Sequence, residues 1–454
     1  MIVMKFGGTS VQDAQAMNNV ASIVRNHLER NPFVVISAIA TGTNLLDAIG
    51  TSASQGNKEE SLQHLSAFIG KHIRIAEEGI IQPSRLESML TKIYAVRKEL
   101  ERLAEGIFLL RELSPRSRDA LAQYGEFLSS LCVSEIFSEC GIQNEWLDAR
   151  TFMITDDNFT AASPRTEIVE QKLLEWNFRK SNDAIYVTQG FIGATESGIS
   201  TTMGRESSDF TAAIIGAALN AEEIQIWTDV NGIFTADPRI VSTARRIPQL
   251  SYAEALELCD RGAKVLHPKT MIPAMEKNIP IRIQNSKNIS VEGSVVAQYE
   301  RTQSETVAIS LKQHISLVLL TLTKKLHYLM VSEMVNGILT KNKTTPLVHN
   351  STERSVALVF DKNAPLDSLL EDLSDVGFVQ CLKEKSLISL VGNRIGEHPH
   401  ALVKFLQLFS SRRMYHCINS PSGLSIASVV DDDIAEKSYE ELHKIFFEKE
   451  SRGE

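Results

Sequence analysis

Apolar and polar positions keep two different rhythms within the first forty residues. Ile2-Val3-Met4-Lys5-Phe6 is a short, nearly unbroken apolar run, and Gly7-Gly8-Thr9-Ser10 follows as a turn with a helix-start signal. Val20, Ile23, Val24 and Leu28 then recur at helical spacing and predict one apolar face. Asn31-Pro32 breaks that helix, and Phe33-Val34-Val35-Ile36 reads as a second buried strand. Strand, helix and strand in so short a stretch form a βαβ unit, which predicts an α/β fold with a parallel sheet covered by helices.

From about 45 to 131 the pattern is mainly helical with charged faces. Strands are expected again at 185–187, 224–227 and 281–283. Between them, 208–219 reads as a helix with Phe210, Ile214, Ile215, Ala218 and Leu219 along one side. Another helix is expected over 252–259, stopped by Gly262. After about residue 300 the texture changes. Strands are expected at 315–322, 355–360, 387–391 and 424–430, separated by helical stretches, with a last helix over 436–447. A similar unit occurs twice in this tail, which reads as a separate regulatory or assembly module.

The chain has 454 residues, enough for two or three domains, and its 43% hydrophobic and 23% charged content is that of an ordinary globular protein. A net charge of -9 argues against a broad nucleic-acid-binding surface but leaves room for a small basic pocket. Cys132, Cys140, Cys259, Cys381 and Cys417 show no paired spacing and are expected to be reduced, mostly buried thiols. The N-terminus lacks the marks of a secretory leader, and no apolar run approaches the ~20 residues that span a bilayer, so the expected setting is the cytoplasm. There is no HExxH, and His398-Pro399-His400 beside Glu397 reads as a solvated loop, so no protein-built metal site is expected.

Several segments carry candidate chemistry. Where the first strand turns into the first helix, Gly7 and Gly8 let backbone N–H groups approach a phosphate, and Lys5 can set an ammonium against the same oxygens. Taken by itself the segment fits a phosphate cradle or a plain glycine turn, and it matches neither Walker A nor the dinucleotide fingerprint. Ser37 to Asn44 places small hydroxyl residues after the second strand, where ligands bind in parallel sheets; capping by Thr43 or Asn44 is the simpler alternative. Met203-Gly204-Arg205-Glu206-Ser207-Ser208-Asp209 puts an arginine able to clamp a carboxylate, two serines and an aspartate at a helix start. Asp209 either caps that helix or faces Lys5. Trp227 to Arg239 combines a strand end, two tight loops, aromatics and a cation, the ingredients of a purine pocket or of a surface loop. Gly262 to Pro268 adds Lys264 at a helix-to-loop transition.

Together these blocks resemble the aspartate kinase family. KFGGTS, SAIATGTNLL, the Gly125-Glu126 pair, TMGRESSDFTAA, IWTDVNGIFTADPR and GAKVLHP occur in the family's order over residues 1–300, and residues 301–454 look like its paired ACT domains. The resemblance implies an amino-acid-kinase domain over 1–300, with a helical insert at about 50–131, followed by two ferredoxin-like α+β ACT domains. It implies ATP-dependent phosphorylation of the L-aspartate side-chain carboxylate, the first step toward lysine, threonine and methionine. Lys5 and Asp209 match the catalytic positions. Ser37, Thr43, Glu126, Arg205 and Ser208 match aspartate-binding positions, with Arg205 on the α-carboxylate and Glu126 near the α-amino group. Lys5, Gly7, Gly8, Thr228, Asp229, Phe234, Arg239, Lys264 and Val265 match nucleotide contacts. Mg²⁺ is expected to arrive on ATP rather than in a site of its own. Further implications are an amino-acid effector at the ACT domains, a homodimer or dimer of dimers, and no nucleic-acid or membrane partner.

Departures from the family pattern leave two matters open. Glu206-Ser207 stands where many members have two glycines, which adds a carboxylate near the phosphates. Lys325 to Val331 and Pro346-Leu347-Val348-His349-Asn350 replace segments common in lysine-inhibited members, so the effector stays unassigned. The rival readings are another carboxylate or carbamate kinase, acting on glutamate or acetylglutamate, and a non-catalytic amino-acid sensor.

Overall fold

The structure is a computed structural model, described here over residues 1–179, 184–204, 207–263, 266, 268–299 and 305–448. The chain divides into two compact units. The first comprises Met1–Ile233, Pro248–Tyr252 and Leu266–Gln298; the second comprises Phe234–Ile247, Ala253–Val265 and Tyr299–Glu454.

The first unit begins with β1 (Ile2–Phe6), α1 (Ala14–Arg25) and β2 (Pro32–Ile36), followed by the helices α2 (Gly42–Ser54), α3 (Lys58–Gly79), α4 (Pro83–Leu110) and α5 (Pro115–Glu139). Then come β3 (Asn144–Leu147), β4 (Ile154–Thr155), α6 (Thr166–Arg179), β5 (Ile185–Gln189), β6 (Ile192–Thr195), β7 (Ser200–Thr202), α7 (Ser208–Ala218) and β8 (Glu223–Thr228). The unit closes with β9 (Gln249–Ser251), the first residue of α8 (Tyr252–Asp260), α9 (Pro268–Glu276), β10 (Ile281–Asn285) and β11 (Ser294–Ala297).

The main sheet runs β3-β5-β2-β1-β8-β10-β11-β9. The six strands from β3 to β10 are mutually parallel, and only the β10–β11 pair is antiparallel. All residues of β1 and β2 are buried, as strands covered by helices on both faces require. Register matters for function: Phe6 lies opposite both Ile36 and Trp227, so the turns after β1, β2 and β8 leave the sheet side by side. A small second sheet, β4-β6-β7, flanks the approach to α7.

Three local expectations are corrected. Leu28 is 39% exposed and lies beyond α1, because the chain tightens into a single turn of 3-10 helix there and Asn31, at φ 52°, redirects it into Pro32. Neither Thr43 nor Asn44 caps α2. The helix starts at Gly42 behind Thr41, whose φ of 68° is left-handed. Of the five cysteines only Cys132 is buried; Cys140, Cys259 and Cys381 are half-buried and Cys417 is exposed.

The second unit contains β12 (Glu305–Leu322), α10 (Tyr328–Lys341), β13 (Val348–Ser351), β14 (Ser355–Phe360), α11 (Asp367–Ser374) and β15 (Gly377–Asn393). It continues with α12 (Pro399–Leu408), β16 (His416–Asn419), β17 (Ser425–Asp431) and α13 (Asp432–Phe447). All ladders of its β13-β14-β12-β15-β17-β16 sheet are antiparallel. β12 and β15 are single long strands shared by both repeats. Sequence reading truncated them because the register shifts near Lys312–Ile315, with His314 at φ 58° and Glu384 at φ 55°, interrupt the two-residue alternation. Segment 234–247 is built into this unit. The Asp237 N–H donates to the Tyr439 hydroxyl on α13 (2.8 Å), which donates to the Ile309 carbonyl (3.1 Å), while Ala236 and Val241 join the core around Phe405 and Leu442.

Among the described residues, no helix is long and apolar enough to cross a membrane, and no three His, Cys, Asp or Glu side chains converge as metal ligands.

Candidate active site

The turns after β1 and β2 interlock. The Ser37 N–H donates to the Phe6 carbonyl (3.1 Å), the Ala40 N–H to the Gly8 carbonyl (3.1 Å), and the Gly7 N–H to the Trp227 carbonyl at the end of β8 (3.0 Å). This is why the turn needs glycine: a Cβ on Gly8 would stand 2.7 Å from the Ala38 carbonyl oxygen. Across the same junction the Ser10 hydroxyl meets that of Ser286 (2.7 Å), and Ser286 donates from both its N–H and its hydroxyl to the Thr228 carbonyl (2.8 and 3.1 Å).

Lys5 projects from β1 into this junction and is 8% exposed. Its Nζ lies 2.5 Å from Asp209 Oδ1 in the first turn of α7, and 3.6 Å from where a Gly7 Cβ would sit. A buried lysine is tolerable only when paired, and here the partner sits at a helix N-terminus facing a glycine turn. Of the two alternatives for Asp209, facing Lys5 is the one realised. The Ser37 hydroxyl is 3.0 Å from that of Ser208 one residue earlier, and Gly190 packs so tightly on Ser208 that a Cβ there would come within 2.6 Å of it.

Glu126 enters from α5 and is 3% exposed. One carboxylate oxygen accepts from the Ala38 N–H (3.1 Å); the other, Oε2, is buried with no hydrogen-bond partner. Burial pushes its carboxyl up to about 8, against the opposing pull of that N–H and of the Lys5 charge. An unpaired buried carboxylate oxygen costs several kcal/mol unless a donor or cation completes it or the group takes up a proton, which is the direction of the shift. Gly125 brings α5 close enough that a Cβ would lie 3.0 Å from Ala38 Cβ and 4.0 Å from the half-buried Thr43 Oγ1.

The structure therefore gathers Lys5, Gly7, Gly8, Ser37, Thr43, Glu126, Ser208 and Asp209 around two interlocked turns. Thr228 and Asp229 close the neighbouring end of β8, the first half-buried and the second exposed. Phe234 and Arg239 belong to the second unit, where the Arg239 guanidinium forks onto the Asp237 carboxylate (Nη2–Oδ2 2.6 Å). Arg205, Glu206, Lys264 and Val265 lie outside the described residues. Sequence reasoning gave no role to Ser10 or Ser286. Nothing in a pair of serines 276 positions apart announces a contact.

Comparison with known proteins gives a consistent result. The amino acid kinase family model matches residues 1–285. The lysine-sensitive aspartokinase 3 of Escherichia coli is 33% identical over 464 residues, covering 99% of each chain. The crystal structure of E. coli aspartokinase III with aspartate and ADP superposes with a TM-score of 0.88 at 32% identity, covering 98% of this chain and 100% of that one. The same enzyme with lysine and aspartate gives a TM-score of 0.80 at 32% identity, covering 98% and 99%.

Proposed function

The chain belongs to the aspartokinases of the amino acid kinase family, and we propose that it transfers the γ-phosphoryl group of ATP to the side-chain carboxylate of L-aspartate. A carboxylate with an ordinary pKa of about 3.9 is already ionised at neutral pH, so the acceptor needs no general base. It attacks the γ-phosphorus. The bond from that phosphorus to the β–γ bridging oxygen breaks, ADP leaves with the electron pair, and 4-phospho-L-aspartate forms. The protein's task is alignment and the offset of repulsion between two anions.

In this reading the Lys5 ammonium meets charge developing on the transferring group, and Asp209 holds that ammonium in place. Gly8 offers its N–H to phosphate oxygens, and Gly7 leaves open the space beside the Lys5 ammonium. Glu126 Oε2 receives the α-ammonium of aspartate, Ser37, Thr43 and Ser208 take its other polar groups, and Arg205 takes its α-carboxylate. Thr228 and Asp229 contact the nucleotide, which brings Mg²⁺ with it. The observation that carries the reading is the buried Lys5–Asp209 pair beside the unsatisfied oxygen of Glu126. An amino-acid effector acts through the second unit, and the product feeds lysine, threonine and methionine synthesis. The E. coli relative is named for its sensitivity to lysine, which makes lysine the first effector to titrate.

The test is ADP release measured with aspartate, glutamate and N-acetylglutamate, with hydroxylamine trapping of the acyl phosphate. Turnover with aspartate well above the other two is expected. Turnover with another acceptor alone reassigns the substrate, and turnover with none makes the protein a sensor.

A further inference from the structure

Asp119, on α5 two turns before Glu126, has no part in the chemistry above, yet it is only 1% exposed and collects three hydrogen bonds. Its Oδ2 accepts from the backbone N–H of Thr202 and of Thr160 (2.9 Å each), and its Oδ1 accepts from the Thr202 hydroxyl (2.6 Å). Thr202 ends β7. Two residues on, the Gly204 carbonyl accepts from the Ser207 hydroxyl (2.6 Å), and the next two residues are Ser208 and Asp209. Thr160 has a φ of 70°, a left-handed conformation that a β-branched residue avoids, and its carbonyl lies 3.8 Å from where a Cβ on Gly204 would stand. The Thr202 carbonyl in turn accepts from the Ala162 N–H (2.9 Å). One carboxylate thus ties the strained loop and the end of β7 to the helix that carries Glu126. Residues seven apart on a helix share a face, so Asp119 and Glu126 are presented together.

We infer that Asp119 is a positioning residue that sets substrate length, by fixing the Glu126 end of the site against the β7–α7 turn that delivers Ser208 and Asp209. The inference rests on the proposed reading of Glu126 and Ser208 as amino-acid contacts. Aspartate and glutamate differ by one methylene, so a site of fixed span rejects the longer acid, and a slackened span rejects it less.

The test is steady-state kinetics on the full chain with Asp119→Ala, Asp119→Asn and Thr202→Val. In Asp119→Ala the KM for aspartate should rise about tenfold or more while the KM for ATP stays within about twofold, and the aspartate-to-glutamate ratio of kcat/KM should fall about tenfold. Asp119→Asn should restore the pattern. The amide oxygen can accept both backbone N–H groups, and the amide NH₂ can donate to a Thr202 hydroxyl that has turned around. Thr202→Val keeps the backbone bond and loses only the hydroxyl, and should fall between the two; it decides the matter if Asp119→Ala does not fold. A lowered melting temperature with unchanged KM values and an unchanged substrate ratio would make Asp119 a plain structural staple and overturn the inference. Absence of aspartate turnover in the unmodified protein would instead overturn the proposed function and this inference with it.

Discussion

Lys5 is the one charged residue in a strand whose other members are apolar and buried, and its ion pair with Asp209 makes that position tolerable. Lys5→Ala should lower kcat by about 10²–10³, comparable to removing one donor from an oxyanion hole, with aspartate KM little changed. A mutant turning over near the normal rate would remove Lys5 from the mechanism. Glu126 gives a pH prediction with a definite sign. Its carboxyl is held at about 8 by burial, and only the ionised form can receive an ammonium group. The kcat/KM for aspartate should therefore rise by about tenfold per pH unit up to that value and then level. Saturating kcat should be flatter, because a bound ammonium favours the carboxylate. Glu126→Gln should abolish the slope, and a slope that survives in the variant would assign the titration elsewhere. Lys5 and Asp209 could be singled out in the sequence because they sit at a strand end and a helix start beside small residues, with capping left open for Asp209, while Ser37 gained a role only through the family resemblance. Asp119 was not legible: it falls in the stretch read only as helical with charged faces, and only the end of β7, eighty-three positions away, reveals its burial.

At the level of elements, the site depends on how closely α7 approaches the turn between β5 and β6. Gly190 is there because nothing larger fits beside Ser208. Gly190→Ala should destabilise the protein by about 1–3 kcal/mol, read from the urea midpoint, and should depress kcat further by displacing the helix that carries Asp209. A variant of normal stability and normal rate would show that α7 has slack. Element type and order were largely readable here, since the β1–α1–β2 rhythm and the apolar stripe of α7 are local signals. The strands of the second unit were less so. β13 and β16 are short edge strands, and β12 and β15 cross a bulge that hides their continuity. Pairing across a sheet, not local pattern, decides such lengths.

On the scale of the whole chain, segments 234–247 and 253–265 fold with residues far downstream. Thr235 shows how firmly: its hydroxyl meets His443 Nε2 at 2.9 Å and accepts from the Arg245 N–H at 3.0 Å. Cutting the chain after Gln298 should leave Ala236, Val241 and the apolar side of α8 without cover. The expected product is aggregation-prone or cleaved within 234–247 under limited proteolysis, whereas the full chain resists. A truncated chain that stays monodisperse and protease-resistant would show that these segments can pack alone. The change of texture near residue 300 was visible in the sequence. That two earlier stretches join the later unit was not, because partners such as Tyr439 for Asp237 and Ser425 for Glu257 lie 202 and 168 positions away.

This interleaving limits what recombination can do. A foreign tail spliced on after Gln298 would find no matching seat for the stretch between Phe234 and Ile247, which has been shaped against Tyr439 and His443. A viable chimera has to import those inner stretches together with the tail, so the tail can be exchanged only as part of a matched set.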